Sequence, residues 1–146
     1  MSRPPTARAE IDHVGVDVDG ASAFAKRAEL FLDNARLEAL APEARPILLH
    51  DAVLAGCDAV LAINGLRVVG SDGGHTLRRQ KAEALLDVDR DDLYERLDDA
   101  RDLQNAASYR AAPVPLPDAD DGISAAAEFL HLVRDHVEPR LPERLR

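Results

Sequence analysis

Pro42, the pair Asn64-Gly65, the run from Gly70 to Gly74 and the prolines Pro113, Pro115 and Pro117 divide this chain into five segments. Within those segments apolar residues recur at three- and four-residue steps, the spacing of one helix face. Phe24, Ala28, Phe31 and Ala35 carry this period in the first segment, with Ser22 as a candidate N-cap. From Pro46 to Ile63 the residues are apolar on more than one face, which predicts a central helix. Asn64-Gly65 ends it with two residues that tolerate the left-handed conformation. Leu93, Leu97, Ala100 and Leu103 or Gln104 form the stripe of a fourth segment, and Ile123, Ala126, Leu130 and Val133 that of a fifth. Asp89, Asp91 and Asp92 lie where the peptide dipoles of the fourth helix favour negative charge.

The expected fold is therefore all-α, a four- to five-helix bundle with helices at about 22–40, 46–63, 76–86, 91–107 and 122–137. Aromatic residues are only 3% of the chain and Trp is absent, so the core must be built from Leu, Val, Ile and Ala. That composition suits close helix packing better than a sheet sandwich. The predicted organisation is a flexible N-terminal arm over 1–19, the bundle over 20–138 and a C-terminal tail over 139–146. Ile11, Val14, Val16 and Val18 are equally compatible with a short extended segment lying against the domain. Residues 66–74 read as a flexible connection.

Composition also narrows function. The formal charge is −9, from 27 acidic and 18 basic residues, and such a field opposes a general nucleic-acid-coating role while permitting a local basic cleft. No uninterrupted apolar run reaches a membrane-spanning length and none near the N-terminus suits a signal peptide, so a cytoplasmic protein without membrane association is expected. The single cysteine, Cys57, sits among small apolar residues and reads as an inert core thiol. The five histidines show no metal-ligand spacing, and neither a metal nor a cofactor is expected.

Two groups of side chains are candidates for binding. Arg78, Arg79 and Lys81 form the densest basic patch, suited to a phosphate or, more simply, to a solvated helix face. Arg101, Asn105, Ser108 and Tyr109 fall three or four residues apart along one side of the fourth helix, with Gln104 beside them. A guanidinium, an amide, a hydroxyl and a phenol so arranged can hold a phosphodiester, or they can cap the helix and brace the proline-rich loop that follows. Spacing alone favours the second use.

The order of these parts resembles the HEPN superfamily of small helical-bundle domains, its small bacterial members in particular. The features that carry the resemblance span about Phe24 to Val137. They are the first amphipathic helix, the central helix ending Ala59-Val-Leu-Ala-Ile-Asn-Gly65, the Gly73-Gly-His75 turn, the helix ending Asn105-Ala-Ala-Ser-Tyr109, and a closing helix. The resemblance implies a homodimer, in many members a metal-independent ribonuclease of toxin–antitoxin, defence or RNA-processing systems. The family's site looks like Arg-Asn-x-x-x-His, often followed by Tyr. Histidine there moves the proton as the RNA 2′-hydroxyl attacks phosphorus, and Arg stabilises the charge that develops.

On a close variant of that pattern, one residue shorter, Asn105 and Tyr109 match, while Gln104 stands at the Arg position and Ser108 at the His position. Arg101, one turn earlier, is the replacement cation. Serine does not titrate near neutrality and cannot act as the acid–base group. The reading that follows is a catalytically degenerate HEPN-like module, leaning away from an enzyme. It would bind a nucleotide, an RNA end or a protein partner such as a nucleotidyltransferase-like protein or an antitoxin. One alternative is an active ribonuclease using Arg101 with Tyr109 and a histidine brought in from elsewhere, His50 or His75. The other is a purely structural or regulatory interaction protein.

Overall fold

The computed structural model describes residues 8–70, 72–110 and 116–146, with backbone alone at 103–104, 106–110 and 116–119. Five helices form an all-α bundle: α1 (Val18–Ala35), α2 (Ala44–Ile63), α3 (Gly74–Leu86), α4 (Asp91–Arg110) and α5 (Leu116–Val137). Their number and order are those expected from the sequence, and the differences lie at the ends.

α1 begins four residues before the expected Ser22 because Asp17 is its cap, the carboxylate oxygen accepting from the Gly20 amide at 2.8 Å. Ser22 is instead buried inside the helix. The helix stops at Ala35 rather than Leu40. There the Arg45 guanidinium donates to the Ala35 and Leu37 carbonyls at 2.8 and 2.9 Å, meeting acceptors that a helix end leaves open. α5 begins at Leu116 rather than Gly122, with Pro117 in its first turn, where the missing amide hydrogen has no helical partner to lose.

Both segments expected to be flexible contribute a strand. β1 (Glu10–His13) pairs antiparallel with β2 (Leu66–Val69), Glu10 opposite Val69 and His13 opposite Leu66. Of the arm expected over 1–19, residues 1–7 lie outside the described residues, and Val18 and Asp19 already belong to α1. Gly65 makes the turn into β2 at φ +75°, and a side chain there would meet the Gly15 and Val16 backbone at 3.1 Å. The C-terminal tail folds back as two short 3-10 turns (Glu138–Arg140 and Glu143–Leu145) that bury Leu141.

α2 is the axis of the core. Twelve of its residues are buried, on every face, which is why it shows no amphipathic stripe. Its mean hydropathy of 1.7 and its 20 residues suffice by length and composition for a membrane span, yet 67% of that window is buried inside the domain. α1 lays Ala21, Ala28, Leu32 and Ala35 against α2, and α5 adds Ala126, Phe129, Leu130 and Val133. At Gly56 the α2 and α5 helices come close: a Cβ there would lie 2.9 Å from a Leu130 methyl and 3.3 Å from a Val133 methyl. Cys57 is fully buried, and burial pushes its thiol pKa well above the ordinary range, in line with an inert core role. α4 inserts Leu93 and Leu97, and ion pairs tie it to α5, Arg96 to Asp121 and Glu128 and Arg90 to Glu128.

Candidate functional site

The packing of α3 and α4 against α2 brings together side chains distant in sequence. His50 lies in the second turn of α2 and faces the first turn of α3, where His75 follows Gly74. Their rings meet edge to face, centroids 5.1 Å apart, with His50 Nε2 and His75 Nδ1 separated by 3.3 Å. Arg101 comes in from α4, its guanidinium 3.5 Å from the Thr76 hydroxyl, a long contact and the one it makes among the described residues. Beneath these groups runs a narrow apolar cleft lined by Leu49, Val53, Leu97 and Ala126. Its interior of about 20 Å³ has room for about one water molecule. The interior is thus too small for anything larger, and the polar groups lie at its mouth.

Charges of both signs surround the mouth, and the arginines among them act on the two rings. Burial, then the His75, Arg101 and Arg79 charges, lower the His50 pKa from 6.5 to about 4. Burial, Arg78 and Arg101 lower that of His75, partly opposed by Asp51 and Asp58. Both rings are thus neutral at pH 7, and each keeps an unprotonated nitrogen. The Asp51 carboxyl beside them is shifted upward by burial.

The structure separates the residues of the two predicted groups. Arg79 lines the cleft, but its donors are taken up by Glu83 at 3.0 Å, Asp98 at 2.6 Å and the Tyr94 carbonyl at 3.0 Å, so it chiefly braces α3 on α4. Arg78 pairs with Asp58 at 2.9 Å. Lys81 is not among the cleft residues. Of the Arg101–Tyr109 series, Arg101 reaches the mouth and Asn105 is exposed one turn further along α4. The side chains of Gln104, Ser108 and Tyr109 lie outside the described residues. The convergence of His50 and His75 has no signature in local spacing, since 25 residues separate them. The remaining histidines stay apart from this site. Asn64 holds His136 at 3.0 Å, His131 pairs with Asp135 at 3.5 Å, and His13 is exposed on β1. Among the described residues no group of three metal-ligating side chains occurs.

No family model, no curated protein and no solved structure matches the chain. The cleft is therefore read from its chemistry alone.

Proposed function

We propose that this helical domain binds a phosphate ester, the phosphate of a nucleotide or of an RNA end, at the mouth formed by His50, His75 and Arg101. The single observation that carries the reading is the meeting of the two imidazoles beside a guanidinium whose one contact among the described residues is long. Arg supplies charge and paired donors for phosphate oxygens, and the imidazoles add directional donors. On the HEPN resemblance the module works in the cytoplasm as a homodimer. Its partner there is a nucleotidyltransferase-like protein or an antitoxin.

The test is a titration of the protein with a 5′-phosphorylated oligoribonucleotide in EDTA. Wild type should bind, and Arg101→Ala should lose roughly 10–100-fold in affinity, the worth of a hydrogen bond to a charged group. Equal binding by the two proteins would remove Arg101 from the site and the reading with it.

The imidazole pair also favours a second reading, RNA cleavage without metal. Each neutral ring can take a proton, so His50 or His75 supplies the acid–base group that Ser108 lacks. Cleavage of mixed RNA in EDTA, lost in His75→Gln and in Arg101→Ala, would establish that reading. Intact RNA with wild type would leave binding alone.

A further inference from the structure

The His50–His75 contact fixes how many donors the mouth can offer. One N–H lies between the rings, since Nε2 of His50 and Nδ1 of His75 share a hydrogen bond at 3.3 Å. Whichever ring donates it, the two remaining nitrogens then carry one hydrogen and one lone pair. A neutral pair thus presents an anion with one donor and one repelling acceptor. Adding one proton converts that acceptor into a donor, keeps the shared bond, and places one positive charge beside Arg101.

We infer that the mouth takes a dianionic phosphate monoester, and that binding draws one proton from solvent onto the imidazole pair. The inference rests on the phosphate-binding reading above. Charge favours that ligand: Arg101 and the protonated pair carry two positive charges against the one carboxylate of Asp51, and the added proton meets the second negative charge that a terminal phosphate has and an internal diester lacks. Among the described residues the charged groups facing the pair are few. Asp51 lies on the same helix, Arg78 and Arg79 on α3 and Arg101 on α4, with Asp58 further along α2. Among the described side chains of α5, Gly122 and Ala126 line the cleft. Arg78 and Arg79 are held by Asp58, Glu83 and Asp98, so an incoming dianion is the strongest new charge the pair meets.

Calorimetric titration between pH 7 and 8 tests this, in buffers of different ionisation enthalpy. Inorganic sulfate serves as a dianion that does not itself titrate there, beside a nucleoside 5′-monophosphate. A 5′-phosphorylated oligonucleotide and its unphosphorylated twin complete the set. The expected result is uptake of about one proton per sulfate or monophosphate bound, with affinity falling about tenfold per pH unit. His75→Gln, at an exposed position that should leave the fold intact by circular dichroism, should lose both the uptake and the slope. Of the two longer ligands, only the phosphorylated one should bind. Binding with no proton uptake and a flat pH profile would overturn this inference and leave the phosphate site standing. Failure of all the phosphorylated ligands and sulfate to bind would overturn both. Equal binding of the oligonucleotide twins would overturn the monoester assignment alone.

Discussion

Lowering the pH from 7.5 to 5 should withdraw part of the fold's stability through His50. Its ring is held neutral in the folded state, with a pKa of about 4 against 6.5 for the unconstrained group. A depressed folded value means that the unfolded chain binds the proton more readily. The stability is therefore fully present above about pH 6.5 and is lost progressively as the pH falls toward 4. At pH 5 linkage puts the loss at roughly 2 kcal/mol, and screening by solvent at the open side of the cleft trims it to about 1–1.5 kcal/mol. For a domain of this size that lowers the melting temperature by about 3–6 °C. His75 and His136, also held below their ordinary values, act in the same direction, while Asp51 and Asp58, held above theirs, act in the opposite one. The comparison that isolates His50 is thermal unfolding of wild type and His50→Gln at pH 7.5, 6.5 and 5. The variant should show the shallower decline on acidification by about that amount. Parallel declines in the two proteins would refute the reasoning, because the ring would then titrate alike in folded and unfolded chains.

Other substitutions probe the fold away from the cleft. Gly56→Val forces a branched side chain into the contact with Leu130 and Val133 and should cost about 3 kcal/mol, a drop near 10 °C in melting temperature; a change under about 2 °C would mean that α5 yields. Asp17→Ala removes the acceptor for the Gly20 amide and should cost about 1 kcal/mol in chemical unfolding, whereas Asp17→Asn should cost little. Cys57 should resist a thiol reagent in the native protein and react fully once urea unfolds it; rapid native labelling would show that the core opens around α2.

Helix order was readable in the sequence because its signals are local. The period of α4 and α5, the all-round apolar character of α2 and the Asn64-Gly65 stop all act within a few residues. The ends were less legible because their determinants are either ambiguous or distant. Ser22 and Asp17 are both acceptable caps, and the structure uses Asp17. Pro117 reads as a breaker until its place in a first turn is known, since only there is its missing hydrogen harmless. β1 and β2, four residues each, are too short for an alternating pattern, and each is defined by the other across the chain. The site divides in the same way. Arg101 was picked out by its position on a helix face, and Arg79 by its neighbours, but its commitment to Glu83 and Asp98 is a tertiary fact. His50 and His75 are 25 residues apart, and no local spacing links them. Only the docking of α3 on α2 makes them a pair.

The most direct test of the phosphate site follows the imidazole resonances of the five histidines by NMR while inorganic phosphate is added, which a chain of 15.8 kDa allows. Changes confined to His50 and His75, saturating together and abolished by Arg101→Ala, are the predicted result. Uniform small changes at all five rings, or changes that ignore the loss of Arg101, would contradict a shared anion site at the mouth of this cleft.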